Sequence, residues 1–267
     1  MTTIGDITSY LGRLAPLDAA EEWDNVGLLI GDAEAAARTV LTCLTVTESV
    51  VTEAIESSSD LIITHHPLPF RPLARITADA LPGRHVWRLA RAGVSLYSAH
   101  TAYDSAESGI NAQIAQRLQL VDVAPLRPFE LHDAASHSSP GAGRIGTLSD
   151  SIPLRTLADR VKRSFELDHV RVAGPLDRMV ARVAIGCGSG GSFLEDAVQC
   201  GADVLLTGET TLHTILHGLD AGLCLLLTGH YASERFAMEH LAEQLAAEFP
   251  ELSVRAAQAE QPPWRLW

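Results

Sequence analysis

The stretch ESVVTEAIESSSDLIITHH, residues 48–66, reads as a helix, a polar turn and a short apolar strand that runs straight into two adjacent imidazoles. A second stretch, SFLEDAVQCGADVLLTGE (192–209), can be laid on it, and there the strand ends in Glu209. AGVSLYSAHTAYD (92–104) can likewise be laid on AGLCLLLTGHYASE (221–234) with one residue of slack. In both members Ala-Gly closes a helix, an apolar strand follows and a histidine stands at the strand's end, His100 in one and His230 in the other. A carboxylate comes four residues later: Asp104 after His100, Glu234 after His230. Matches at two corresponding places predict an internal duplication, an α/β fold of two related halves.

Outward from these segments the rhythm continues. VLTCLTV (40–46) predicts a strand, HVWRLARAG (85–93) a helix closing on glycine and INAQIAQRLQL (110–120) a helix. Later come LRTLADRVKRSFEL (154–167) as helix, HVRVAG (169–174) and MVARVAIG (179–186) as strands, TLHTILHGLDAG (211–222) as helix and SERFAMEHLAEQLAAEF (233–249) as a long helix. A βαβα alternation predicts a largely parallel sheet with helices on its faces. Residues 121–150 break it; rich in Pro, Ser, His and Gly, they read as a connector with a single strand, RIGTL. The expected organisation is a first half at 1–125, a connector at 126–153 and a second half at 154–267, together one compact unit. The N-terminal MTTIGDITSYLGRLAP reads as a short amphipathic helix with Ile4, Ile7, Leu11 and Leu14 on one face, not as a targeting signal.

Composition bounds the partners. The chain has 267 residues, 46% hydrophobic and 20% charged, and a formal net charge of −13. That charge disfavours non-specific nucleic-acid binding and anionic membrane surfaces, and an anionic substrate would need local positive charge such as bound metal. No run reaches the roughly 20 apolar residues that span a bilayer. Cys43, Cys187, Cys200 and Cys224 form no C-x-x-C pair and read as buried, reduced thiols, which suits a cytoplasmic protein.

In a parallel α/β sheet, ligands sit at the carboxyl ends of the strands. The unusual polar residues collect at such ends: His65 and His66, His100 and Asp104, His230 and Glu234, with Glu209 ending a further strand. Half-buried imidazoles and carboxylates left without partners would cost several kcal/mol in desolvation and repulsion. Divalent cations remove that cost, and neutral imidazole with carboxylate is their natural mixed ligand set. Adjacent residues of a strict strand point to opposite faces, but at a strand end before Pro67 the chain is turning, so His65 and His66 are expected to converge on one cleft or serve two neighbouring metals. Two metals about 3.5–4 Å apart form the usual hydrolytic clamp. Glu234 is the expected bridging carboxylate. His85, His213, His217 and His240 fall in helical patterns, and His132, His137 and His169 in connectors or at strand starts; these read as structural or solvated.

A rival motif lies in IGCGSGGSF, where Gly186, Gly188 and Gly191 satisfy G-x-G-x-x-G, with Glu209 near the offset of a ribose-binding acid. It would make the chain a dinucleotide-binding enzyme. The alternatives are an anion site at the helix start and a tight strand-to-helix turn.

EEWDNVGLLIGD (21–32), LIITHHPLPFRPL (61–73), YSAHTAYDSAESGIN (97–111), CGSGGSFLEDAVQCGADVLLTGE (187–209) and GHYASERF (229–236) resemble the NIF3-like family of dinuclear-metal proteins, often labelled GTP cyclohydrolase 1 type 2 homologues. The resemblance runs along nearly the whole chain and is to the short form without an inserted domain. It implies a fold of two related α/β halves and a toroidal homohexamer. It also implies two divalent metal ions per chain (Zn, Mn, Fe, Co or Ni), held by His65, His66, Asp104, His230 and Glu234. His100 occupies the family's H-T-x-x-D position, as a further ligand or a proton-transfer group. Thr45 stands where relatives commonly have Asp. The implied activity is metal-dependent hydrolysis of a nucleotide or phosphoester, with GTP ring opening as the named candidate and His100 relaying a proton. The alternative within the same family is a non-catalytic metal-binding, assembly or regulatory protein.

Overall fold

The computed structural model describes residues 1–129 and 141–265; His132 and His137, in the predicted connector, lie outside the described residues. In chain order the elements are α1 (Ile4–Leu14), β1 (Gly27–Ile30), β2 (Thr39–Cys43), α2 (Glu48–Glu56), β3 (Leu61–Thr64), α3 (Gly83–Ala92), β4 (Ser95–Ser98), α4 (His100–Ser105), α5 (Ile110–Arg117), β5 (Val121–Pro128), β6 (Gly141–Pro153), α6 (Leu154–Ser164), β7 (Arg171–Ala173), β8 (Met179–Gly186), α7 (Leu194–Gln199), β9 (Val204–Thr207), α8 (Leu212–Asp220), β10 (Cys224–Leu227), α9 (His230–Glu248) and β11 (Ser253–Ala256). Contacts divide the chain into two compact units, Met1–Tyr103 with Ala237–Trp267, and Asp104–Phe236, so the division falls within α4 and α9.

The first unit holds a sheet of order β1-β4-β3-β2-β11. Its β11, β2, β3 and β4 run parallel, and β1 is an antiparallel edge beside β4. The second holds a sheet of order β5-β6-β8-β9-β10-β7, parallel through β8, β9 and β10, with β7 as an antiparallel edge beside β10. The series β2-β3-β4-β1 of one sheet thus corresponds to β8-β9-β10-β7 of the other, which is the duplication expected from the sequence. Both are mixed sheets, parallel at the centre and antiparallel at one edge or both. The central strands β3, β4, β9 and β10 are buried at every position, which is why they read as continuous apolar runs without alternation.

Each sheet has its own core. In the first, Leu41, Ile62 and Leu96 pack with Val50, Val51 and Ala54 of α2 and Val86 and Leu89 of α3. In the second, Ala184, Leu205, Leu225 and Leu227 pack with Leu194 and Ala197 of α7.

A matched pair of aspartates marks the repeat at the level of single atoms. Asp60, just before β3, accepts the Arg38 and Thr39 N–H groups on one carboxylate oxygen at 2.7 and 2.9 Å. Asp203, just before β9, accepts the Ala181 and Arg182 N–H groups in the same way, both at 2.9 Å. Their main chains also correspond: Asp60 O accepts from Ser95 N–H, and Asp203 O from Cys224 N–H. Each carboxylate thus takes up two successive main-chain amides on the neighbouring strand or at its threshold. Asp60→Ala and Asp203→Ala are therefore expected to destabilise their units similarly, by about 1–2 kcal/mol each. Urea unfolding checks this, and a cost near zero at either position would show that water replaces the carboxylate.

Between Val121 and Pro153 the described residues form two strands where the sequence predicts a single one, RIGTL. β5 and β6 pair antiparallel from Val121↔Thr147 to Pro128↔Gly141, and β6 continues alongside β8. β5 carries Pro125 and Pro128 and is mostly exposed, so neither propensity nor burial marks it as a strand; its non-local pairing does.

Candidate metal centre

In the first unit the β2–β3 ladder continues past Thr64: His65 N–H donates to Cys43 O at 3.0 Å and His66 N–H to Leu44 O at 2.8 Å. The Ser98 hydroxyl donates to His65 O at 2.7 Å, tying β4 to the same point. The ring centroids of His65 and His66 are 5.1 Å apart, and those of His100 lie 5.1 Å from His65 and 5.6 Å from His66. Each ring offers one nitrogen such that all three lie within 4.8 Å of one another. His65 is buried, and the pocket beside His65 and His100 is lined by Leu11, Leu14, Tyr103, Met238 and Leu241. Neutral imidazole is a natural donor to a divalent cation, and three of them converge here.

His100 is held from behind. Its Nδ1 lies 2.7 Å from Asp24 Oδ1, and Asp24 Oδ2 accepts from the Thr101 hydroxyl at 2.5 Å and Thr101 N–H at 3.1 Å. The Asp24 carboxylate has no exposed surface. Burial pushes its pKa up, but the hydrogen bonds from His100 and Thr101 outweigh that and hold it at about 2. His100 has φ +29°, a left-handed backbone that a non-glycine residue adopts at a cost of about 1–3 kcal/mol and that a surrounding structure must enforce. The bonds to Asp24 are that enforcement. His66 is fixed by Thr45, whose hydroxyl lies 2.7 Å from His66 Nδ1. Thr45 thus contacts an imidazole of the cluster directly.

In the second unit, Asp104 sits in a network with Cys187 and Asn111. The Cys187 thiol donates to Asp104 Oδ1 at 3.0 Å, Asn111 Nδ2 donates to Asp104 O at 3.0 Å, and Cys187 N–H donates to Asn111 Oδ1 at 2.9 Å. Burial, reinforced by the charges of Asp104 and Glu234, pushes the Cys187 pKa well up, so it remains a thiol and a donor. The buried Arg144 guanidinium donates to Ser105 O and Ala106 O, immediately after Asp104, and to Gly141 O and Gly143 O.

α9 begins at His230, three residues before the predicted start, so His230 and Glu234 occupy one face of its first turns. Nε2 of His230 lies 3.1 Å from Glu234 Oε2, and its Nδ1 lies 3.0 Å from Glu209 Oε1. The hydrogen bond to Glu234 pushes the His230 pKa up to about 9 against the opposing effect of burial, with the charges of Glu234 and Glu209 adding to it. Gly188, at φ +57°, closes over this pair: a Cβ there would lie inside contact distance of Glu234 Oε1. The glycine-rich loop serves close packing. A Cβ on Gly186 would strike Phe193, and one on Gly191 would strike Thr210. The N–H groups of Gly188 and Gly190 already donate to Ser233 Oγ and Thr207 Oγ1, so they do not form the phosphate cradle of a dinucleotide site.

Of the site residues expected from the sequence, the first unit gathers His65, His66 and His100, and the second gathers His230 with Glu234 and sets Asp104 against Cys187. Sequence reasoning missed Asp24, although it lies in the quoted WDN motif. It also missed the contact of Cys187 with Asp104, because a lone buried cysteine carries no motif. Glu209 was singled out at its strand end, and its contact is to His230. His85 has a structural partner in Glu48, 3.0 Å away, and His213 is exposed.

The fold and site define a duplicated α/β protein whose strand ends carry His and Glu groups able to hold a metal ion. The chain belongs to the Duf34/NIF3 (NGG1p interacting factor 3) family, whose description matches residues 2–263. It is 36% identical over 236 residues to the "GTP cyclohydrolase 1 type 2 homolog" of Clostridium perfringens, covering 86% of each chain. It is 33% identical to the protein of the same name from Clostridium acetobutylicum, covering 86% of this chain and 85% of that one. Among solved structures, a Bacillus cereus protein related to NIF3 superposes with a TM-score of 0.91 at 24% identity, over 100% of this chain and 99% of the other, a likeness of fold. Among the described residues no helix is long and apolar enough to cross a membrane.

Proposed function

We propose that this chain is a dinuclear divalent-metal hydrolase acting on a nucleotide or phosphoester, with a purine nucleotide of the GTP type as the first candidate substrate. The observation that carries this is the cluster of His65, His66 and His100, whose ligand nitrogens lie within 4.8 Å of one another. Membership of a family with relatives named GTP cyclohydrolase homologues supports it.

The donor set fits a pair of borderline divalent ions, Zn, Mn, Fe, Co or Ni. His65, His66, Asp104, His230 and Glu234 would hold them. When bound, such ions supply Lewis-acid activation of water and substrate. The chain's own contribution is orientation and proton transfer. Asp24 fixes the His100 tautomer with its proton on Nδ1, so that Nε2 is the atom that takes up and returns a proton. Thr45 and Cys187 position His66 and Asp104 through the contacts above. Partners of ligating groups at this distance are typically worth 10–100-fold in metal affinity. Thr45→Val, which keeps the shape and removes the hydroxyl, is expected to weaken metal binding by about 10-fold on that scale. Competition with a chelating dye measures it, and an unchanged affinity would leave Thr45 without a role in orienting His66.

The protein is further proposed to be a cytoplasmic, toroidal homohexamer. The apolar stripe of Leu212, Leu216 and Leu219, exposed along α8, supports burial against another copy. Light scattering at a mass about six times the 28.6 kDa chain is the expected result.

The deciding experiment is a turnover screen of metal-reconstituted protein against nucleotides and phosphoesters, with Glu234→Ala as control. Hydrolysis by the wild type and not by the variant supports the proposal. Metal bound without turnover on any substrate would overturn it in favour of a non-catalytic metal-binding or assembly role.

A further inference from the structure

We propose that Trp23 and Phe70 form a seat for a planar heteroaromatic ring bearing an anionic group, the class that includes purine nucleotides, directly beside His100. This rests on the hydrolytic reading of the His65, His66 and His100 cluster and deepens it by assigning the part of the site that grips the substrate.

The geometry is specific. The Trp23 ring lies 6.1 Å from the His100 ring and the Phe70 ring 6.2 Å from it, centroid to centroid. Trp23 and Phe70 are 5.9 Å apart at an interplanar angle of 66°, so they meet edge to face and are not stacked face on face. Trp23 is 57% exposed and Phe70 43%, although both are large apolar side chains. Single exposed apolar residues are ordinary on a protein surface; two adjoining aromatic rings against the His100 imidazole form a platform. The Arg71 guanidinium lies over the Phe70 ring, 5.3 Å from its centroid, and supplies a cation beside the open Trp23 ring. An incoming flat ring can lie on one aromatic face and meet the edge of the other, with its anionic substituent toward Arg71.

The platform is also pre-organised. Glu21 N–H donates to Thr101 Oγ1 at 2.9 Å, and Asp24 holds both His100 and Thr101, so the segment bearing Trp23 is tied on both sides to the start of α4. Asn25 Nδ2 donates to Pro69 O at 2.7 Å, linking the same segment to the residue before Phe70. The segment that holds the His100 ring therefore also anchors the main chain on which both aromatic rings stand, which lowers the ordering cost of binding. None of these ties is needed to bury Trp23 or Phe70, which stay in water.

Calorimetric titration of zinc-loaded full-length protein with GMP and AMP, and with ribose 5-phosphate as the same phosphate without a base, tests the seat. GMP or AMP is expected to bind. Trp23→Ala and Phe70→Ala should each weaken nucleotide affinity by about five-fold or more, the scale of one base–aromatic stack, while Trp23→Phe retains most of it. Ribose 5-phosphate affinity and bound zinc should be unchanged by either alanine variant, and Arg71→Gln should weaken nucleotide and ribose 5-phosphate alike. The seat is overturned if neither nucleotide binds, if the alanine variants leave nucleotide affinity intact, if they weaken ribose 5-phosphate equally, or if they change the assembly's mass instead. Hydrolysis of a non-aromatic phosphoester by the wild type, measured in parallel, keeps the two readings apart: it can fail while the nucleotide still stacks, and it can succeed where no ring binds.

Discussion

His65→Ala is expected to lower metal affinity by more than about 100-fold, because removing a direct ligand should exceed the 10–100-fold typical of losing a partner behind one. Metal analysis after dialysis and the metal-dependent shift in melting temperature both measure it. A ligand present at 100 times its dissociation constant stabilises the folded state by about 2.7 kcal/mol, so the wild type should melt higher with added zinc and the variant should not. The metal-dependent shift is the right readout, because His65 is buried and its truncation also leaves a cavity that lowers stability with or without metal. Glu234→Gln, nearly isosteric at a buried position, should lose the same shift without that cavity. Loss of both ions from either single variant would identify one pair of ions served by all five proposed ligands. Loss of one ion from each, summing in the double variant, would mean separate sites and would sink the dinuclear proposal. Full retention of metal by His65→Ala would remove the three-imidazole cluster from the chemistry altogether.

Arg144→Met is expected to cost about 3–5 kcal/mol of stability, because it leaves buried carbonyls without their charged donor. Arg144 is buried, and its guanidinium donates to the carbonyls of Gly141, Gly143, Ser105 and Ala106. Hydrogen bonds to a charged donor are worth about 1.5–3 kcal/mol, and a buried carbonyl left without a partner adds its own desolvation penalty. Methionine fills much of the volume and restores none of the bonds. Lysine keeps the charge but lacks the planar fork that reaches several acceptors at once, so Arg144→Lys should recover only part of the loss. Because Ser105 and Ala106 directly follow Asp104, the variant should also bind metal more weakly. Urea unfolding with metal present and absent separates the two effects; a loss below about 1 kcal/mol would show that other donors or water reach these carbonyls.

Much of this architecture is legible from the chain alone, for identifiable reasons. β3, β4, β9 and β10 are covered on both faces, and that condition writes itself as uninterrupted apolar runs. The duplication is visible because the same run, the same preceding aspartate and the same following His or Glu recur in both halves, at Asp60 and Asp203 as at His65 and Glu209. The mixed character of the sheets is not visible in this way. β1, β11 and β5 lie at sheet edges and are short, partly exposed or interrupted by proline, so only their hydrogen-bonded neighbours make them strands. The early start of α9 follows from the same limit, since a histidine after glycine has no strong helical preference of its own.

Sequence by itself determined which polar residues stand at the strand ends, because a strand end is where a buried run must meet water and where His65, His66, His100, His230 and Glu234 are placed by connectivity. It also determined the repeat, because local patterning survives duplication. Tertiary structure alone decided how those side chains are held: that Asp24 grips His100 across 76 positions of sequence, that Cys187 donates to Asp104 across 83, and that Trp23 and Phe70 stand together beside His100. The reason is physical: hydrogen bonds and ring contacts are short-ranged in space but unconstrained in sequence, so no spacing along the chain encodes them.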